Sequence, residues 1–163
     1  KYGSINLQSG SSIDLRLRFY DRRSGDPYAL PEAAFTFFDL DTGDNGQSVE
    51  SVTFGKNYKH YHLTPHTEVT VEDLGDRTRF SGSTTGSGED NPLDPMRLTH
   101  QQKNRAVTLT FEDLQELTVT LSASPGIGPR FFTFVSRPSL MCAVTVQEGY
   151  RPPFDDIIAE PPL

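Results

Sequence analysis

Apolar and polar residues alternate with a period of two along much of the chain. From Ile13 to Tyr20 the odd positions are aliphatic or Phe, whereas the even positions carry charges or a Tyr hydroxyl. The same alternation recurs in segments 68–72, 107–111 and 117–122. Such a pattern places apolar side chains on one face of an extended strand and polar side chains on the other. These segments therefore predict strands that bury one face.

Two other segments, 34–38 and 131–135, are apolar on both faces and predict central strands. Further candidate strands are 49–54, 58–62, 77–81 and 140–146. Turn signals rich in Gly, Pro and Asp separate them, at 24–27, 42–46 and 124–129. About nine short strands with such turns predict an all-β fold, an antiparallel β-sandwich or jelly roll.

A single segment predicts a helix. Asp94 and Pro95 are typical of an N-cap followed by a first-turn proline, which predicts a short helix through about Lys103. This helix would close a loop at 81–104 that is rich in Gly, Ser and Thr. Loops of this length inside a compact domain are usually functional or mobile.

Length and charge limit the function classes. The chain has 163 residues, which suits one domain, and its 11 Phe and 6 Tyr supply core area. The formal net charge of −7 disfavours nucleic acid as a partner. No apolar stretch approaches the ~20 residues that span a bilayer. The single cysteine, Cys142, excludes a disulfide within the chain and is expected to be a small buried hydrophobe.

Both termini suggest a piece of something larger. The sequence starts at Lys1, with neither an initiator Met nor a signal peptide, so we expect a processed chain or part of a precursor. We expect a sandwich domain over 1–147 and a Pro-rich acidic tail over 148–163. Phe154, Ile157 and Ile158 are the apolar residues by which this tail would bind a protein partner.

The sharpest chemical signal is the acidic turn between two predicted strands. If this turn makes a hairpin, Asp39 lies nearly opposite Glu50, on the face that carries Phe side chains. Like charges across a strand pair are destabilising, and a bound cation would remove that cost. Ca²⁺ is the natural candidate, with Asp39, Asp41, Asp44, Asn45 and Glu50 as ligands. The alternative is a solvated turn whose side chains hydrogen-bond the backbone.

Other candidate sites are weaker. His60 and His62 share one face of a predicted strand and His66 follows, but a Zn²⁺ or Cu²⁺ site needs a third patterned ligand. No nucleophile motif, P-loop or dinucleotide fingerprint is present, which disfavours an enzyme. A glycoside hydrolase needs only two carboxylates, so spacing does not exclude it.

Aromatic residues offer a further possibility, a platform on which sugar rings stack. The best candidates are Tyr20, Tyr28, Tyr58 and Tyr61. The ordinary alternative is that these rings belong to the core or cap the edge of the sandwich.

Three stretches carry a resemblance: an apolar strand, DLD, acidic turn and VExV strand at 35–53; GxG…RFFxF at 126–134; and DNPLDPMRLTHQQKNRAV at 90–107. Together they resemble β-sandwich domains of secreted and surface proteins in bacteria and of proteins in microalgae, over roughly 13–146. The resemblance implies a carbohydrate-binding or adhesive module with a structural Ca²⁺ held by Asp39, Asp41 and Glu50.

These observations predict a non-catalytic structural or interaction module. We expect an accessory component of a larger assembly, in an extracytoplasmic setting: secreted, at the cell surface or in an organelle lumen. The alternative is a Ca²⁺-assisted carbohydrate-binding or adhesive module. The two differ in partner, since only the second predicts that the chain binds glycans.

Overall fold

The computed structural model of this chain describes residues 3–88, 91–94 and 97–138. Its strands form two antiparallel sheets of five strands each, which confirms the predicted β-sandwich. The strands are β1 (Gly3–Gln8), β2 (Ser12–Arg18), β3 (Leu30–Phe38), β4 (Glu50–Gly55), β5 (His60–His62), β6 (Val69–Asp73), β7 (Arg77–Gly82), β8 (Val107–Leu114), β9 (Glu116–Ala123) and β10 (Pro129–Pro138).

The chain changes sheet at almost every connection. Sheet A has the strand order β1-β10-β3-β8-β5, and sheet B has the order β2-β9-β4-β7-β6. Only β6 and β7 are consecutive strands of one sheet, joined by a hairpin in which Gly75 adopts a φ of +87°. The other connections therefore bridge the two sheets.

Because neighbouring strands are antiparallel, the connections gather at the two ends of the sandwich. We call one of these the loop end; it collects segments 9–11, 39–49, 63–68, 83–106 and 124–128. The opposite end collects 19–29, 56–59, 74–76 and 115, and β10 finishes there at Pro138. The longest connection, 83–106, therefore lies at the loop end.

Aromatic rings fill the space between the sheets. Phe37 of sheet A meets Phe54 of sheet B edge to face, with ring centroids 5.5 Å apart. Phe54 in turn lies 6.3 Å from Phe80. Each of these rings is at most 1% exposed, and burying one stabilises the fold by about 1.5–3 kcal/mol. The alternation along the strands thus predicted correctly which face is buried.

The predicted hairpin at the acidic turn is wrong. β3 belongs to sheet A and β4 to sheet B, so segment 39–49 crosses the sandwich instead of pairing its flanking strands. β4 pairs with β7 and β9. Alternation reports which face a side chain takes but not which sheet its strand joins.

The predicted helix is shorter than expected. α1 spans His100–Asn104, and Thr99 is its N-cap in a capping box with Gln102. Asp94 therefore does not start it. No helix in the described ranges is long and apolar enough to cross a membrane.

Several expectations fall outside the described residues. They are the strand at 140–146, the domain boundary at 147, the environment of Cys142 and the tail residues Phe154, Ile157 and Ile158. Conversely, β1 is a strand that the pattern did not predict.

Candidate functional site

A buried group of charged residues ties the loops together at the loop end. Asp41 is 4% exposed and accepts a hydrogen bond from Arg130 Nη1 to its Oδ1, at 3.2 Å. Its Oδ2 lies 3.9 Å from Arg105 Nη1. Arg105 is also 4% exposed, and its Nε donates to Glu68 Oε2 at 2.8 Å. We call Asp39, Asp41, Glu50, Glu68, Arg105 and Arg130 the buried ion cluster.

Local backbone structure explains why Asp41 is so enclosed. Thr42 N–H donates to Thr84 C=O, and Gly86 N–H donates to Thr42 C=O, so segment 83–86 runs alongside the acidic turn. A Cβ on Gly86 would lie 1.5 Å from Asp41 Oδ2, and one on Gly82 would lie 2.5 Å from the Asp41 backbone. Only residues without a side chain allow this approach.

Glu50 is the most perturbed member of the cluster. It is 3% exposed, on the inner face of β4, and its N–H donates to Asp41 C=O at 3.0 Å. Burial, then the charges of Asp41 and Asp39, raise the pKa of Glu50 to about 9, although Arg130 opposes the shift. Its Oε2 has no hydrogen-bond partner among the described residues. Glu50 is therefore protonated at neutral pH.

Arg105 and Glu68 connect the cluster to the Gly-rich loop. Arg105 Nη2 donates to Thr85 C=O at 3.2 Å, which attaches the guanidinium to the Gly-rich loop. Burial alone would raise the pKa of Glu68, but hydrogen bonds from Thr84 and Arg105 lower it. The Glu68 carboxylate is thus ionised at neutral pH and balances Arg105.

The structure brings Asp39, Asp41 and Glu50 into electrostatic contact, as the sequence suggested, but through a crossover and not a hairpin. Asp39 is 7% exposed and has a left-handed φ of +62°. Asp44 and Asn45 are exposed on a 3₁₀ turn and do not join the buried residues. Within the described ranges, no three His, Cys, Asp or Glu residues are arranged to hold a metal ion. Calcium stays a prediction.

Sequence reasoning missed Glu68, Arg105 and Arg130. Arg130 pairs with Leu7 across β1 and β10, on the inner face that also carries Phe132. Its shared parity with Phe132 and Phe134 was a usable signal, because an arginine on an apolar face needs a buried acid. Nothing in the local sequence marked Arg105 or Glu68.

Two of the four tyrosines predicted for sugar stacking belong to the core. Tyr58 is 8% exposed and its hydroxyl lies 2.7 Å from Thr78 Oγ1. Tyr61 packs between Tyr58 and Phe80. Tyr20 and Tyr28 are 56% and 44% exposed, at the opposite end from the cluster.

The histidines lie on the outer face of sheet A. His60 and His62 are opposite Thr110 and Thr108 of β8. Burial, then the neighbouring His60, lower the pKa of His62 to about 4, so its imidazole is neutral at pH 7. His66 is exposed beyond the strand. The pair still lacks a third ligand in the described part of the chain.

Asp41 and Glu50 of the cluster are too enclosed in the described structure for a polymeric substrate to reach them. The carboxyl groups of Glu50 and Asp41 are as enclosed as core side chains. A glycoside hydrolase needs an acid and a base that flank an accessible scissile bond. The geometry thus favours a structural role for the cluster, in which it fixes the loops at the loop end.

No known family model matches the sequence. Searches of curated proteins and of solved structures likewise found no match. The resemblance to secreted and surface β-sandwich domains therefore stays a prediction.

Proposed function

We propose that this chain is a non-catalytic interaction module, an accessory component of a larger extracytoplasmic or organelle-lumen assembly, which binds a protein partner through its loop end. The observation that carries the proposal is the exposure of two aliphatic side chains there. Ile127 and Leu93 are each 90% exposed. They belong to segments 124–128 and 83–106 of the loop end.

Fixed loops make such side chains useful for binding. Ser9 N–H and its hydroxyl both donate to Gly128 C=O, and Ser48 N–H donates to Pro125 C=O, which holds the base of the Ile127 loop. The buried ion cluster fixes the neighbouring segments at 39–49 and 83–88. When a partner binds loops that are already ordered, few residues lose conformational freedom. Less of the interaction free energy is then offset by lost conformational entropy.

A stretch of Ser, Thr and Gly residues lies at the same end of the sandwich. Segment 81–88 reads SGSTTGSG, and small hydroxyl-bearing and Gly residues adapt their hydrogen bonds to a partner's surface. An aliphatic anchor within an adaptable polar rim is the usual anatomy of a protein interface.

The C-terminal tail is a second proposed contact. Phe154, Ile157 and Ile158 lie outside the described residues, and the last described strand ends at Pro138, at the opposite end from Ile127. Deleting 149–163 is expected to weaken assembly while the sandwich stays folded. Unfolding of the truncated chain would show that the tail belongs to the core.

The loop-end proposal is tested by the migration of a tagged chain in a native extract of its source. Wild type is expected to sediment in a complex, and Ile127→Ser with Leu93→Ser is expected to sediment as a monomer. Leu74→Ser is the control, since Leu74 is 37% exposed at the opposite end. A wild-type chain that sediments alone, or an equal loss in the control, would contradict the proposal.

Carbohydrate binding is the second candidate, and two observations favour it. Tyr20 pairs with Pro27 in a β-bridge beside Tyr28, which brings two exposed rings to one loop. The unpartnered Glu50 Oε2 is an acceptor that a Ca²⁺ ion would satisfy. A glycan array separates the two candidates, because a pure assembly subunit should not bind it.

The calcium component has its own test. Ca²⁺ is expected to raise the melting temperature, and Asp41→Ala is expected to abolish the increase. Glu50→Gln, which keeps the shape of the side chain, guards against a variant that simply fails to fold. The absence of any shift at millimolar Ca²⁺ would remove calcium from this candidate.

A further inference from the structure

The outer face of sheet B is polar from edge to edge. All five of its strands are described, and their register aligns the side chains in rows across the sheet. One row consists only of hydroxyl residues: Ser12, Ser122, Ser51, Ser81 and Thr70. Every other outward residue of these strands is charged or Thr, apart from Gly55.

Four arginines share this face, in a chain whose overall charge is −7. Arg16 and Arg18 are on β2, and Arg77 and Arg79 are on β7. The acidic residues of the face number three: Asp14, Glu72 and Glu116. The face is thus locally cationic on an anionic protein.

The ion pairs of this face leave guanidinium capacity for a ligand. Glu116 is shared, since it pairs with Arg18 at 2.6 Å and with Arg16 at 3.3 Å. Arg79 pairs with Glu72 at 3.1 Å. Arg77 donates to the Thr120 hydroxyl and has no acidic partner within ion-pair distance in the described structure.

The Arg77 side chain extends across the sheet toward the arginines of β2. Strands lie ~4.8 Å apart, so the Cα atoms of Arg16 on β2 and Arg77 on β7 are roughly 14 Å apart. The Arg77 guanidinium nevertheless reaches Thr120 on β9, the strand next to β2. Gly55, the partner of Arg77 on β4, has no side chain to block this reach. Hydroxyls of Thr118 and Thr120 lie on β9 within this span.

We propose that the outer face of sheet B binds an anionic polysaccharide, one that carries carboxylate or sulfate groups. Guanidinium groups bind such oxyanions with paired hydrogen bonds. Ser51, in the middle of the hydroxyl row, is buried and bonded to Ser81, whereas Ser12 and Thr70 at its two ends are exposed and supply partners for sugar hydroxyls. Tyr20 follows two residues after Arg18, beyond the end of β2, and offers an exposed ring for stacking.

A protein partner and duplex DNA fit this face less well. A protein interface needs an apolar centre, and the five strands present none on this face. Duplex DNA binds chiefly through neutralised phosphates, and three carboxylates interrupt the arginines here. A flexible glycan with spaced charges requires neither an apolar centre nor an unbroken row of positive charges.

This inference gives the carbohydrate candidate of the proposed function a face and a ligand class, and rests on that candidate alone. Comparing neutral with anionic glycans distinguishes general carbohydrate binding from binding by an anion-specific face. Binding to neutral dextran as tight as to dextran sulfate would support carbohydrate binding but overturn an anion-specific face. A protein partner at the loop end would not affect either result.

The test is isothermal titration of the whole chain with dextran sulfate and polygalacturonate, with neutral dextran, poly-glutamate and duplex DNA as comparisons. At least one of the two acidic glycans is expected to bind roughly tenfold tighter than each comparison ligand, and about 0.5 M NaCl should weaken it. Arg16→Gln with Arg77→Gln should lower that affinity roughly tenfold.

The control removes two positive charges elsewhere. Lys59→Gln with Arg97→Gln changes exposed side chains outside sheet B and should leave the affinity within about twofold of wild type. Equal losses in both variants would show that net charge, not this face, governs binding. No binding to either acidic glycan, or equal binding to poly-glutamate or DNA, would also overturn the proposal.

Discussion

The buried ion cluster and the outer face of sheet B are built from the same groups, guanidinium and carboxylate, in opposite surroundings. In the cluster, Asp41 and Arg105 are each 4% exposed. Burial, then the charges of Asp41 and Asp39, raise the pKa of Glu50 to about 9, so that it keeps its proton at neutral pH. On the outer face, water solvates Arg16 and Arg18, which share one carboxylate. Buried charged groups thus hold the loops in place, whereas exposed guanidinium groups can bind a ligand.

The largest effect is expected from Arg105→Met. The substitution removes this guanidinium from the buried carboxylate of Asp41 and from the partly exposed carboxylate of Glu68. Breaking a buried ion pair on one side costs about 3–5 kcal/mol. Urea unfolding should show that loss in the free energy of unfolding. A loss below about 1 kcal/mol would mean that the cluster behaves like a surface network.

Gly86→Ala tests the packing of the Gly-rich loop against Asp41. The added methyl would lie 1.5 Å from Asp41 Oδ2, so the loop or the carboxylate has to move. Overpacking of this kind costs about 1–3 kcal/mol. Gly88→Ala is the matched control, because nothing lies within 4 Å of its Cβ position. Equal stability of the two variants would contradict the close approach.

Glu50→Gln should remove a pH dependence. The pKa of Glu50 is raised to about 9 from an ordinary 4.5, so the folded state holds a proton that the unfolded state releases. The resulting stability is complete below pH 4.5 and is lost as pH rises through about 9. The free energy of unfolding should fall with pH by at most about 1.4 kcal/mol per pH unit.

Urea unfolding at several pH values between these limits measures that slope. Wild type should lose stability relative to Glu50→Gln as pH rises. Parallel pH profiles for the two proteins would show that Glu50 is ionised in the folded state.

The smallest effect is expected on the outer face. Arg79 pairs with Glu72, and both side chains are largely solvated. Arg79→Met should therefore change the free energy of unfolding by less than about 1 kcal/mol. A loss comparable to that of Arg105→Met would remove the contrast between the two regions.

The sequence predicted the fold better than the site. Alternation such as that from Ile13 to Tyr20 identified the strands and their buried faces, because each strand has one dry side. It did not place β3 and β4 in different sheets, because a hairpin between them and a crossover between sheets would bury the same faces. β1 was missed because GSINLQ has only Ile5 and Leu7 as apolar residues.

The acidic residues of the site were identified, and their counter-ions were not. Asp39, Asp41 and Glu50 are close in sequence, so their mutual repulsion was visible. Arg105 and Arg130 come from distant segments that only the closed sandwich brings to Asp41. The sequence therefore showed the need for positive charge beside these carboxylates but not that Arg105 and Arg130 supply part of it.

The protonation of Glu50 is the most direct test of how the cluster is balanced. Selective ¹³C labelling of glutamate allows its carboxyl carbon to be titrated by NMR in the presence of a chelator, with Glu50→Gln used to assign the signal. The midpoint is predicted at about 9. A midpoint near 4.5, the ordinary value, would contradict the account.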